Sequence, residues 1–218
     1  MAGNIINLIR KDFYALWTAE KGVGVALFLP IIVFFPTAPV WKFFPLIYML
    51  IILYTFGMNS FMLEEKYITS RFFASLAVQR REIVLSKYLG IAVIMAVHLV
   101  LAYSANFVFF FAGKLKYQLP PGYFALILFV ASLLISTSFP VYFRYGITKS
   151  MYIIAALFMG LFLGIMFVLL KKEALFKEII DFSFTNVFTT SLLLTGMAVL
   201  LFVISIRISS AIYLKRDI

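Results

Sequence analysis

Long apolar runs separated by short polar segments dominate the chain. Each run is long enough to form a helix that crosses the hydrocarbon core of a bilayer, which takes about 20 residues. The pattern therefore predicts an all-α polytopic membrane protein with six transmembrane helices in a single domain, residues 1–218. The predicted spans are Gly22–Val40, Phe44–Leu63, Tyr88–Ala112, Tyr123–Phe143, Met151–Leu170 and Val187–Ile206.

Residues 1–21, before the first predicted span, have an amphipathic pattern. Ile5, Ile9, Phe13 and Leu16 recur at spacings of four, four and three, while the charged residues Arg10, Lys11 and Asp12 fall elsewhere. This periodicity predicts a helix that lies in the membrane interface before the chain turns into the bilayer.

A second amphipathic pattern covers residues 171–186. Leu175, Ile179 and Phe182 share one helical face, and Lys177, Glu178 and Asp181 fall elsewhere. We expect a short helix on the outer surface of the membrane.

Composition excludes a soluble domain. Apolar residues make up 64% of the chain and charged residues 13%, against roughly 45–50% and 25% in soluble domains. The net charge of +10 is better explained by basic loops beside lipid headgroups than by nucleic acid, and most of the 19 lysines and arginines lie in segments on one side of the predicted spans. Both termini are therefore expected in the cytoplasm. The absence of cysteine and the single histidine argue against disulfides and metal sites.

The most informative segment is the predicted loop 64–87. Ile68, Phe72 and Leu76 repeat every four residues, with Phe73 beside them. This pattern predicts a short amphipathic helix outside the membrane. Such a helix either lies on the lipid surface or docks in a groove of a partner protein.

This loop resembles that of a known family. The sequence Glu64-Glu65-Lys66 at the end of a span, followed by the segment Leu76–Leu89, is similar to the permease subunits of ATP-binding-cassette exporters of the type-2 class. The opening Ile6–Phe13 is also similar to theirs. Among them, the short permeases of phenol-soluble-modulin (amphipathic peptide) exporters fit best.

Two positions in the loop depart from that family. Its members usually carry Pro where Ala77 stands and Ser or Thr where Gln79 stands, and that Ser or Thr would form a capping box with Glu82. Because Gln79 is a poor N-cap, we expect a softer break between the two helices of the loop, the second of which begins at Arg80.

The resemblance implies that loop 64–87 couples the spans to a separate cytoplasmic ATPase, which would bind ATP and Mg²⁺. This chain itself would need no cofactor or metal and would have no catalytic residue, and it would pair with a second permease copy or a homologue in a bacterial plasma membrane. The implied coupling residues are Glu64, Glu65, Arg71, Phe72, Phe73, Leu76, Arg80, Arg81 and Arg144. The implied pathway or dimer-interface residues are Pro30, Gly57, Asn59, Gly160 and Gly164.

Three other classes stay open from the residues alone. An intramembrane protease would need an activated serine or glutamate, but His98 and Ser104 are misaligned by roughly 120° on a helix and Arg71 lies two positions beyond the spacing of the glutamate-dependent class. A secondary transporter would show matching interrupted spans in its two halves. A purely structural membrane protein would leave the amphipathic loop helix without a role. The chain contains no phosphate-binding loop of the G-x-x-x-x-G-K-[ST] type.

Overall fold

The structure is a computed structural model that describes residues 2–19, 44–66, 79–113, 120–171 and 186–215. Within these ranges the chain is all-α, as predicted. The helices are α1 (Ala2–Ala19), α2 (Phe44–Lys66), α3 (Arg80–Phe111), α4 (Pro121–Lys171) and α5 (Val187–Leu214). The predicted first span Gly22–Val40, the centre of the coupling loop and nearly all of the predicted outer helix 171–186 lie outside the described residues.

Three segments of the described chain are long and apolar enough to cross a bilayer. They are Arg80–Phe111, Pro121–Leu157 and Val187–Leu214, with mean hydropathies of 2.1, 2.2 and 2.3. A shorter apolar stretch, Tyr48–Met62, lies in α2 and coincides with the predicted second span. The total of six spans stays a prediction.

Helix α4 is divided by a sharp break at Gly146. Its φ of 74° and ψ of 179° lie in a region that only glycine adopts readily. Around the break, the Ser150 hydroxyl donates to the carbonyl of Val141 at 3.0 Å. Nine residues of continuous helix would advance about 13.5 Å. The chain therefore bends steeply here, so that residues 121–145 and 147–171 form two helices, which match the predicted fourth and fifth spans.

The core lies where α2, α3, α4 and α5 meet. Aromatic rings fill much of it: Phe61 of α2 stacks on Tyr142 at 4.9 Å and meets Phe139 and Phe143 edge-on at 5.4 and 5.1 Å. Such pairs add about 0.5–1.5 kcal/mol each beyond the area that they bury. The aromatic contacts fix α2 against α4 and thereby set the position of the end of α2.

Helix α5 packs against α4 along one side only. Its outward face carries large exposed apolar side chains, such as Phe188, Leu192 and Leu200. Water would strongly disfavour so continuous an apolar surface. Within a bilayer it contacts lipid chains or another helix at no such cost, which agrees with the apolar length of α5.

Candidate functional site

A buried ion pair joins three helices at one end of the bundle. Lys87 of α3 is 3% exposed, and its Nζ donates to Oδ2 of Asp12 in α1 at 2.8 Å. The same Nζ donates to the carbonyl and the hydroxyl of Ser60 in α2, at 3.2 and 2.5 Å. An ammonium group has three N–H donors, and here each one has an acceptor. We call these three side chains the Lys87 joint.

The acceptors of the joint are themselves connected. The Ser60 hydroxyl accepts from Lys87 and donates to Oδ2 of Asp12 at 3.1 Å. Asp12 is 6% exposed, and its other oxygen, Oδ1, lies 3.3 Å from Nζ of Lys11. The joint is therefore a closed ring of three hydrogen bonds in which every helix contributes one side chain.

Such a site is stable only as a whole. Removing two charges from water costs several kcal/mol per ion, which is offset only when the geometry is good and the remaining donors are satisfied. The ring of Phe61, 5.5 Å from the Lys87 ammonium, adds a cation–π contact. Loss of one charged partner would leave the other buried alone, at a cost of about 3–5 kcal/mol.

Local sequence places these residues on the inner faces of their helices. Asp12 follows the buried Leu8 by one helical turn on α1, and Lys87 lies between the buried Val84 and Ile91 on α3. The sequence pattern does not predict this site, because it places Asp12 off the apolar face of α1 and Lys87 at the end of the predicted loop 64–87. The sequence feature that could have indicated the site is a single charged residue at a position where the three- and four-residue spacing of the helix predicts an apolar one.

A second contact attaches α1 to the beginning of α3. The Glu82 carboxylate accepts from the side chain of Asn4 at 3.3 Å and from the backbone N–H of Gln79 at 3.1 Å. The second bond is the Glu arm of a capping box at the start of α3. Glu82 thus satisfies a backbone donor at the start of α3, whereas most of the break predicted before it lies outside the described residues.

Among the predicted coupling residues, the half-buried Arg80 contacts another helix of the same chain. Its guanidinium donates to the carbonyls of Leu214 and Tyr213, at 3.1 and 3.5 Å, at the C-terminal end of α5. A cation is favoured there by the helix dipole. Arg81 is exposed, and Arg144, also exposed, lies 5.2 Å from the ring of Tyr145.

Two of the other predicted coupling residues fall within a described helix. Glu64 and Glu65 belong to the last turn of α2. Four more lie outside the described residues: Arg71, Phe72, Phe73 and Leu76.

The described pathway residues lie on two helices, α2 and α4. Gly57 is buried, and a Cβ added there would lie 3.4 Å from Cε1 of Phe139, so this glycine allows close packing of α2 on α4. Asn59 is half-buried, and Gly160, on the same helix as Gly164, has open space beside it. Pro30 lies outside the described residues.

A cleft of about 390 Å³ lies between α3, α4 and α5 near the other ends of these helices. Its walls are chiefly apolar, with Leu99, Phe124 and Leu128 among them, and hydroxyl groups such as those of Ser191 and Thr195 at its edge. Among the described residues, Gly57, Asn59 and Gly160 do not line it. The cleft is therefore a separate feature from the Lys87 joint.

The arrangement around His98 does not form a hydrolase centre with Ser104. His98 is fully buried, with its ring 5.8 Å from that of Tyr48, whereas Ser104 is exposed six residues further along α3. That spacing corresponds to a rise of about 9 Å. Across the described ranges, His, Asp and Glu form no group of three that could hold a metal ion.

Long apolar helices and a buried polar joint at one end define a helical membrane protein. The model of the family described as ABC-2 family transporter protein matches residues 7–214, almost the whole chain. The chain belongs to this family and is the membrane component of an ABC-2 type transporter. Permeases of this family are typically not catalytic, and membership implies a partner ATPase subunit. No curated protein and no solved structure matches the chain.

Proposed function

We propose that this chain is the permease of an ATP-driven exporter for amphipathic or hydrophobic substrates, peptides included, and that loop 64–87 docks the ATPase. The ATPase binds ATP and Mg²⁺. Two permeases, identical or homologous, enclose the pathway in a bacterial plasma membrane with both termini in the cytoplasm. The observation that carries the proposal is the Lys87 joint, which ties together both helices that lead into the loop.

The position of the joint along the chain supports a coupling role. Ser60 lies six residues before the end of α2 at Lys66, and Lys87 lies seven residues after the start of α3 at Arg80. The end of α2 and the start of α3, which lead into the loop, are therefore attached to each other and to α1 within about two helical turns of the loop. A loop on loosely attached stems would absorb a displacement, whereas one on tied stems transfers it to the spans.

The mechanism follows from such a transfer. Closure of the ATPase pair on ATP displaces the Phe72/Phe73 segment, and the attached stems of α2 and α3 tilt with it. ATP binding thereby shifts the permease from an inward-open to an outward-open population.

The pathway is proposed at the interface between the two permeases, with Pro30, Gly57, Asn59, Gly160 and Gly164 near it. Open space beside Gly160 supports this placement, since small residues at four-residue spacing let another helix approach closely. The apolar walls of the cleft between α3, α4 and α5 suit a substrate with an apolar part.

The docking proposal is tested by removing two aromatic rings from the loop. We expect the double variant Phe72→Ala/Phe73→Ala to lose both binding and stimulation of the ATPase subunit that co-purifies with the wild-type chain. Its matched control is Phe107→Ala/Phe111→Ala, which removes two exposed rings at the other end of α3 and leaves binding unchanged. Unchanged ATPase binding and stimulation in the loop variant would refute the proposed docking role.

A further inference from the structure

We propose that Lys87 is a positioning residue that makes α1 and the two stems of the coupling loop one rigid body, so that α1 moves together with the loop during transport. The inference rests on the proposed function and assigns a role to Asp12, Ser60 and Lys87.

The three hydrogen bonds of the Lys87 ammonium group support a rigid body. A lysine held by one acceptor can rotate about its flexible stem, but the three acceptors around Lys87 Nζ come from two different helices. One of them is a backbone carbonyl, which fixes Lys87 to the α2 main chain itself. Fully satisfied buried polar networks specify one arrangement of their elements, because any displacement exposes an unpaired group.

Helix α1 is also held at two points along its length. Asp12 binds Lys87, and two turns earlier the side chain of Asn4 donates to Glu82 near the start of α3. A single contact would leave α1 free to pivot, whereas two contacts on the same partner helix fix its direction. Leu8, between them on α1, is buried.

The face of α1 that points away from the bundle also bears on this movement. Ile6, Arg10 and Tyr14 are exposed there, so the helix presents apolar and basic groups away from the bundle. A helix with such a face lies in the membrane interface. Movement of the rigid body therefore displaces a helix within the interface along with the loop.

A positioning role is separated from a merely stabilising one by a pair of variants. Lys87→Met alone leaves the buried Asp12 carboxylate with only the partly exposed Lys11 as a cation and should destabilise the protein strongly. The double variant Asp12→Leu/Lys87→Met replaces the ion pair with apolar side chains, an exchange that is often neutral for stability. We expect the double variant to regain the thermal stability of the wild type while its stimulation of the ATPase stays lower by about 2- to 30-fold.

The matched control is Ser86→Ala, which removes a buried hydroxyl beside Lys87 that donates only within α3, to the carbonyl of Ile83 at 2.8 Å. This variant should keep full stimulation of the ATPase. Recovery of ATPase stimulation together with stability in the double variant would overturn the positioning role.

A distance measurement tests the rigid body directly. Because the chain has no cysteine, spin labels can be placed at Tyr14→Cys and Leu89→Cys, both exposed positions outside the joint. In the permease–ATPase complex, we expect the same α1–α3 distance with and without ATP. A distance that changes with nucleotide would overturn the inference.

The same labels separate this inference from the proposed function. In the permease alone, Asp12→Asn should broaden the α1–α3 distance distribution, and an unchanged narrow distribution would count against the joint. That comparison needs no ATPase. Failure of the wild-type chain to bind an ATPase would refute the proposed function and leave this result standing.

Discussion

Ser150 donates to the carbonyl of Val141 from nine residues further along the chain, at 3.0 Å. The contact holds the two halves of α4 together at the Gly146 break. Ser150 is fully buried, and its hydroxyl also contacts the carbonyl of Gly146 itself. The break is therefore bridged by a polar side chain in the core, which makes it a fixed feature of the fold.

Replacing Gly146 with alanine should destabilise the protein. Its backbone, with φ of 74° and ψ of 179°, is accessible to almost no residue with a Cβ, and forcing one into such a region costs about 1–3 kcal/mol. We expect a lower apparent Tm for Gly146→Ala, measured on purified protein in detergent.

The control for this variant is Gly160→Ala on the same helix. Its added Cβ meets open space, and alanine is preferred to glycine within a helix by about 0.5–1 kcal/mol. The two substitutions should therefore shift the Tm in opposite directions. An equal or higher Tm for Gly146→Ala than for the wild type would show that the break is not required for the native fold.

The sequence predicted two helices with an interruption between them, but not that the interruption is a break at the single residue Gly146. Two hydrophobic runs with a basic segment between them indicated two spans, and the run lengths placed those spans within a few residues of the observed halves of α4. The same method ended the last span at Ile206, because Arg207 interrupts the apolar run, whereas α5 continues to Leu214. Hydropathy measures the apolar length of a helix, and the helix end is decided by contacts such as that of Arg80.

The Lys87 joint could not be predicted from the sequence, for a different reason. Asp12, Ser60 and Lys87 are separated by 48 and 27 residues in sequence, and only tertiary packing brings them together. Each residue alone has an ordinary interpretation as a surface charge or a small helix residue. The charge pattern could suggest a buried lysine, but it could not identify the carboxylate that neutralises it.

Gly57 offers a test between packing and pathway roles. A Cβ added at Gly57 would lie 3.4 Å from Cε1 of Phe139, which is an ordinary contact distance. Alanine therefore fits at this position, but a long side chain does not. We expect Gly57→Leu to lower stability by about 1–3 kcal/mol through overpacking. The readout is the apparent Tm together with transport by the assembled complex.

The matched control is Gly196→Leu on α5, where a Cβ meets open space. This variant should keep the wild-type Tm. If Gly57→Leu instead keeps its Tm while transport is lost, Gly57 lines the pathway and its contact with Phe139 is incidental.

Arg80 is the predicted coupling residue whose structural role is most specific. Its guanidinium binds the carbonyls of Tyr213 and Leu214 in the last turn of α5, the end at which helix carbonyls accept from groups outside the helix. A cation at a helix C-terminus contributes about 0.3–1 kcal/mol. In Arg80→Ala we expect amide hydrogen exchange near the end of α5 to rise by about 2- to 5-fold, the change that corresponds to this loss.

Arg81→Ala separates this contact from docking, because Arg81 is exposed one position along the same helix. The resemblance assigns both arginines to the rim of the ATPase contact, so binding of the ATPase should weaken in both variants if that role is correct. Exchange at the end of α5 should rise only in Arg80→Ala. If Arg80→Ala leaves the hydrogen exchange at the end of α5 unchanged, the contact with α5 contributes nothing measurable. If Arg80→Ala raises that exchange but leaves ATPase binding intact, Arg80 acts within the bundle and not at the ATPase contact.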